Sequence, residues 1–409
     1  MSTAVLGAGP IGLSIAYELS LRGEEVIVIS PFDTSGEAGH VNAGWISPIL
    51  AAPVPNPAVI GNAIKWTFDR KSPLKISPSL NPGHIAFMAR MLMNSRESKF
   101  LKGLHATFEL GRGAMAAFDQ YQSSGVNFEI HRTGILMAFT SSKECEEHLA
   151  EYEVAEQYGI KKVMHLDNVG LHRYEPSLSQ LVTEGIYCED QYFVDPSSFM
   201  IGMAAKCREL GVQFLVAEKN IAIKKDRSLI IPVVDGKEIS VKNLVIAAGA
   251  FSGHLLKSVG VKIPIAFGKG YSVDFPGETR IMNSIYLSEA RVAVTPLDSY
   301  LRFAGTMEFG GKAMKIDSYR AENIIRSSSK YFDIHFEKAR KPRMALRPMT
   351  PDGLPVIGKI QNLENLFVAT GHAMLGITLA PTTGRMISEL ILDHKNPPVY
   401  SAFAPDRFR

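Results

Sequence analysis

A chain of 409 residues with 46% hydrophobic side chains is long enough for more than one packed core, and its net charge of +3 is spread without a basic tract. Nucleic acid is therefore not an expected partner, and the apolar runs all break at glycine, proline or charge short of the ~18 residues that cross a bilayer. Cys145, Cys188 and Cys207 lie far apart and the eleven histidines show no ligand spacing, so reduced thiols and no metal are expected. With a first strand starting at Thr3, no room remains for a signal peptide, and a cytoplasmic location is expected.

Residues 3 to 30 read as an apolar strand through Ala4, Val5 and Leu6, the turn Gly7-Ala8-Gly9-Pro10-Ile11-Gly12, a helix with Ile15 and Leu19, and a strand Val26-Ile27-Val28-Ile29 ending at Ser30. The glycines have mechanical reasons to stand there: Gly7 makes a tight turn, Gly9 lets backbone approach a pyrophosphate, and Gly12 lets the helix press on the strand. The helix N-terminus then faces a dinucleotide's phosphates. Ser30 occupies the position where an acid normally binds the ribose, and the following residues offer Asp33 and Glu37 but no base, which disfavours NADP. NAD and FAD stay open at this point.

The proline-rich stretch 51–57 marks the first exit from this domain. Beyond it the spacing predicts a helix with Ile85, Met88, Met91 and Leu92, then a long helix over residues 99 to 122. Methionines so spaced fill core gaps or form a face that touches a membrane. Residues 134–139 open a second sheet, which the alternating runs 271–275, 291–295 and 300–304 continue as antiparallel strands. A helix from Pro196 to Leu210 leads through residues 212–215 back to the first domain, where 243–250 is a buried strand ending in Ala248 and Gly249. A last strand ends at Gly371, and a helix with Met386, Ile387, Leu390 and Ile391 follows. So late a return to the first nucleotide fold suits a two-domain flavoprotein, and FAD is the expected cofactor.

Five segments now stand in a recognisable order: the glycine turn, Asn42-Ala43-Gly44-Trp45-Ile46-Ser47-Pro48, Lys269-Gly270-Tyr271-Ser272, Leu346-Arg347-Pro348-Met349-Thr350-Pro351-Asp352-Gly353 and Gly371-His372-Ala373-Met374-Leu375-Gly376. With Ala63-Ile64-Lys65-Trp66, they resemble bacterial D-amino-acid dehydrogenases of the FAD-dependent D-amino-acid oxidase and glycine oxidase superfamily over essentially the whole chain. The resemblance implies an α/β fold with a Rossmann-like, glutathione-reductase-type FAD domain and a substrate domain on a mostly antiparallel sheet. We place the FAD domain at 1–50, 190–262 and 345–409, and the substrate domain at 51–189 and 263–344. The chain departs from the family pattern at Ser30, at Gly39-His40 in place of a Thr-Ser pair, and at Met344-Ala345 in place of Trp-x-Gly.

The implied activity is oxidation of a small neutral D-amino acid or proline-like imino acid, with electrons passed to a quinone or dye. An oxygen-using oxidase and a flavin-binding subunit of a larger complex are the competing readings, and a peripheral contact with the inner face of a membrane follows from the first. Arg347 is expected to clamp the substrate carboxylate, since its planar fork makes two hydrogen bonds; an interdomain salt bridge is the plainer alternative. Tyr271 and His372 are expected beside the flavin, with packing and a backbone-bonded loop histidine as their plainer readings. The cofactor contacts are expected from Gly7, Gly9, Pro10, Ile11, Gly12, Ser30, His40, Asn42, Ala43, Gly44, Trp45, Ala248, Gly249, Gly371 and Leu375. Gly376, Ile377 and Thr378, read as the start of the last helix, complete that set and would stabilise charge on the reduced ring.

Overall fold

The computed structural model describes residues 2–31, 37–57, 72–159, 163–278, 280–310, 314–336, 339–395 and 397–408. Asp33 and the motif at 63–66 lie outside them. The first sheet has six strands in the spatial order Gln213–Val216, Val26–Ser30, Thr3–Leu6, Asn243–Ile246, Leu366–Thr370 and Val356–Lys359. All neighbours are parallel except the last pair. The central strands are apolar without alternation because both faces are covered. Val5, Val28, Val245 and Phe367 pack under the helices Pro10–Leu21, Pro196–Glu209 and Ala380–Leu392. Their neighbours Ala4, Leu6, Leu244 and Ile246 pack on the other side, against the meander Ile221–Asp226, Leu229–Val234 and Lys237–Glu238.

The second sheet has nine strands and is largely antiparallel. Its strand Ala266–Pro276 lies between Tyr300–Phe309 and Arg343–Met349. Side chains alternate along it, so Tyr271, Val273 and Phe275 enter one core with Ile324 of the helix Ser318–Ser328. Gly268, Gly270, Ser272 and Asp274 face the other way. The expected domain crossing at 345 falls inside the strand Arg343–Met349, which belongs to this sheet; the chain rejoins the first sheet at Val356. A third, three-stranded sheet joins Trp45–Ile46 and Ile130–His131 to Tyr192–Val194.

Two helical expectations need correction. The long helix at 99–122 is two helices, Glu97–Gly111 and Ala114–Ser123, broken where Gly113 takes a left-handed φ of 76°. The methionine-bearing helix Pro82–Asn94 divides its apolar residues: Phe87 and Met91 pack on Phe309 and Met349, whereas Ile85, Leu92 and Met93 are exposed. Among the described residues, no helix is long and apolar enough to cross a membrane, and the three cysteines are free and buried.

The first and last helices touch at Gly384, where a Cβ would sit 2.6 Å from the Ser14 carbonyl oxygen. Because the obstacle is helix backbone, Gly384→Ala must push the helices apart. We expect a loss of about 1–3 kcal/mol of stability, read from the urea midpoint of unfolding.

Candidate active site

The turn after the first strand is shaped by close backbone approach. Gly7 adopts φ 122°, and a Cβ there would meet the Ala247 carbonyl oxygen at 2.3 Å; one on Gly12 would meet the Gly7 carbonyl oxygen at 1.9 Å. No side chain caps the helix Pro10–Leu21: Gly9 is its extended N-cap, Pro10 fills the first helical position and the first turn carries no acid. Its leading amides are thus available to an anion. The chain leaves Thr3–Leu6 for Val26–Ser30 on one side and only later adds the parallel strand Asn243–Ile246 on the other, a switch of direction that places a ligand crevice at this turn. Ser30 ends the neighbouring strand, buried, and its carbonyl receives the Ala217 amide at 3.0 Å.

Residues 40–48 form a second wall. Asn42 Oδ1 accepts from the Gly44 amide at 2.8 Å while its Nδ2 donates to the carbonyls of Ala38 and Gly39. Gly44, at φ 78°, lies so close to Val194 that a Cβ would be 2.1 Å from the carbonyl oxygen. His40 Nδ1 is paired with Ser197 Oγ at 3.1 Å. Trp45 Nε1 donates to Thr295 Oγ1, which donates to the Ala43 carbonyl, both at 2.9 Å.

The segment after the last parallel strand closes the arrangement. Gly371 is left-handed, at φ 78°, and Thr370 Oγ1 donates to the Gly249 carbonyl, which ties the loop to the Ala248–Gly249 turn. Leu375 accepts from Leu379, Gly376 lies over Pro10, and Thr378 Oγ1 donates to the Trp45 carbonyl while receiving the Ser47 amide. The turn after the first strand, the 40–48 loop and the 371–379 segment thus surround one crevice. Ser47 Oγ is buried there and has no hydrogen-bond partner among the described residues. The uncapped helix, the glycines a Cβ would block and this orphan hydroxyl fit a bound dinucleotide.

Arg347 sits at the second domain's border with this crevice. Its guanidinium lies across Gly270, where a Cβ would be 2.0 Å from Nη1, and Nη1 donates to the Thr306 carbonyl at 2.9 Å. Thr306 belongs to a bulge in the adjoining strand: its φ is 61°, the pairing slips beside it, and its Oγ1 is buried without a partner. Among the described residues, no carboxylate pairs with Arg347, and burial alone lowers its pKa to about 10. Its strand touches the crevice directly, since the Ala373 amide donates to the Pro348 carbonyl at 3.1 Å.

Three site expectations are corrected. Tyr271 lies on the opposite face of the sheet from Arg347, 1% exposed, and its hydroxyl donates to Glu308 Oε2 at 3.1 Å in a cluster with Lys269 and Arg320. His372 turns inward, 2% exposed and bonded to Thr383 on the last helix, instead of pointing at the flavin. The last helix begins at Ala380, so Gly376, Ile377 and Thr378 form a turn ahead of it. The structure also gathers two ligand-type trios, Cys145–His165–Glu184 and Glu129–His131–Asp298, whose members are too distant in sequence for a spacing rule to find. His165 with Glu184 and His131 with Glu129 are each satisfied by a direct hydrogen bond.

The fold and the crevice define a dinucleotide-dependent redox enzyme with a second, substrate-facing sheet. The model of the family described as FAD dependent oxidoreductase matches residues 2–390, and the chain belongs to that family; FAD is its cofactor. The chain is 30% identical to the D-amino acid dehydrogenase of Xanthobacter autotrophicus over 406 residues, covering 96% of this chain and 95% of that one. The iminodiacetate oxidase of a Chelativorans species has the same fold, with a TM-score of 0.75 and 17% identity over 98% of each chain. So does glycine oxidase from Geobacillus kaustophilus, with a TM-score of 0.74 and 19% identity, covering 98% of this chain and 97% of that one.

Burial depresses the His372 pKa from 6.5 to about 3, so the unfolded chain binds a proton that the folded protein refuses. Stability should fall as pH drops from about 6.5 towards about 3. His372→Gln should flatten that slope, measured as urea midpoints between pH 7 and pH 4, while leaving the midpoint dependence above pH 7 unchanged.

Proposed function

We propose that this protein oxidises a small neutral D-amino acid or a proline-like imino acid to the corresponding imine. The observation that carries the reading is Arg347: a partly buried guanidinium at the border of the FAD crevice with, among the described residues, no acid beside it. Such a group gains most from a carboxylate that arrives with the substrate. The activity named for its sequence relatives supports the amino-acid class.

FAD, when bound, accepts the hydride; the chain's task is to bind, orient and keep water out. Arg347 holds the carboxylate, and the Thr306 bulge fixes the guanidinium plane through its carbonyl. That leaves the α-carbon and amine to face the crevice. His372, neutral and turned inward, takes no proton, and Tyr271 acts from behind the sheet by holding Glu308. Oxidation therefore draws on an amine already deprotonated in solution or on the way in. Trp45 offers an apolar border, which suits a neutral side chain, whereas Met344 pairs with Tyr271 and packs on the far face of the sheet.

A quinone or dye acceptor is the favoured partner in this reading, and the exposed Ile85, Leu92 and Met93 on Pro82–Asn94 would provide a membrane-facing edge. The alternative is reaction with oxygen. Anaerobic flavin bleaching by D-alanine, D-proline, hydroxyprolines, glycine, D-arginine and D-aspartate tests the substrate, and oxygen uptake with and without dye tests the acceptor. Fastest reduction by a charged or an L-amino acid would overturn the substrate assignment.

Arg347→Ala should lower kcat/KM by about ten- to a hundredfold with flavin content unchanged, as expected for loss of a charge-assisted clamp worth ~1.5–3 kcal/mol. Arg347→Lys should recover part of it, since an ammonium cannot reproduce the fork. A simple carboxylate without an amine should perturb the flavin spectrum of the wild type at neutral pH and lose that effect in Arg347→Ala.

A further inference from the structure

One arginine of the second sheet reaches past its own domain. Arg302, on Tyr300–Phe309, is 1% exposed. Its Nε and Nη2 donate to the two oxygens of Asp274 at 2.8 and 3.1 Å, a bidentate pair that fixes the guanidinium plane. The remaining nitrogen, Nη1, leaves the domain and donates to the carbonyls of His40 at 2.9 Å and Asn42 at 2.8 Å. Across the next strand, Thr295 pairs in register with Arg302, and its hydroxyl donates to the Ala43 carbonyl. Three successive hydrogen bonds from the second sheet thus grip alternate and adjacent carbonyls of the loop that walls the FAD crevice.

We propose that Arg302 is a positioning residue for the flavin, with Thr295 as its second grip. The argument is the planarity of the peptide unit. Once the Asn42 carbonyl is drawn onto Arg302, the Ala43 N–H of the same peptide must point away from the sheet, as a donor to the bound cofactor. Asp274 makes this affordable in a buried setting: it neutralises Arg302 and is itself shared with Arg343 Nη2 at 2.8 Å. Without the grip, Asn42 and Gly44 still form their local turn, but nothing fixes which way the 42–43 peptide faces. The inference rests on the FAD crevice and not on the substrate proposed above.

The test uses FAD binding in the absence of any amino acid, so a wrong substrate assignment leaves it intact. Thr295→Val and Arg302→Met are compared with wild type by three readings: FAD dissociation constant of the stripped protein, visible band of the reconstituted flavin, and urea midpoint of the stripped protein. Thr295→Val, which removes the bond to the Ala43 carbonyl and the one received from Trp45 Nε1, is expected to weaken FAD about tenfold and to shift the flavin band, with the midpoint lowered less than in Arg302→Met. Arg302→Met is expected to weaken FAD about a hundredfold. A lowered urea midpoint with unchanged FAD affinity and band would make Arg302 a packing ion pair and overturn the proposal. Should Arg302→Met fail to fold, unchanged affinity and band in Thr295→Val overturn it alone.

Discussion

A partly buried guanidinium that, among the described residues, has no carboxylate at its side is costly to keep charged, and the second sheet carries one such side chain. Gly270 clears the surface under Arg347, and the bulge at Thr306 turns a carbonyl up to meet it. The neighbouring arginines show what a buried arginine ordinarily receives: Arg302 binds Asp274, and Arg320 sits near Glu308. Arg347 has an aligned carbonyl and a methionine sulfur instead. An arriving anion would complete that compensation, which is what the carboxylate role proposed for Arg347 requires.

The two domains are less separate than their sheets suggest. The cofactor crevice is bounded by a loop whose carbonyls are held by the second sheet, and the strand carrying Arg347 ends in a hydrogen bond to the segment after the last parallel strand. Moving either sheet relative to the other would therefore disturb the carboxylate site and the flavin wall together. This coupling suits a reaction whose one protein-side requirement is that substrate carbon and flavin meet at a set distance and angle.

Much of this was legible in the chain because it depends on local rules. The glycine turn, the apolar parallel strands and the late return at 365–372 each follow from residues adjacent in sequence, and Arg347 stood out beside a stiffening proline. What escaped depends on which face a side chain takes. Tyr271 and Gly270 are neighbours, yet one is behind the sheet and the other under Arg347, and no composition rule decides that without the register of the partner strands. His372 follows Gly371 in a loop that sequence alone left beside the flavin; its ring is instead bonded to Thr383, eleven residues on in the last helix, a partner that no local rule points to. Arg302 gave no signal, because its partners are carbonyls 260 residues away, and a carbonyl has no side-chain signature.

The order of strands in the first sheet has a consequence for how the molecule comes into being. Thr3–Leu6 is central, flanked by Val26–Ser30 and by Asn243–Ile246, and the sheet is finished by Leu366–Thr370. On a ribosome the first helix and two strands emerge early, but the partner on their other side arrives more than two hundred residues later. Until then the Thr3–Leu6 edge of an apolar parallel ribbon stays open, as does the Val26–Ser30 edge that later receives Gln213–Val216, the kind of edge that recruits strands from other chains. Long-range pairings of this kind close slowly. The enzyme should therefore depend on something to shelter that edge during synthesis, and its folding yield should respond more to the rate of translation than to the stability of the finished fold.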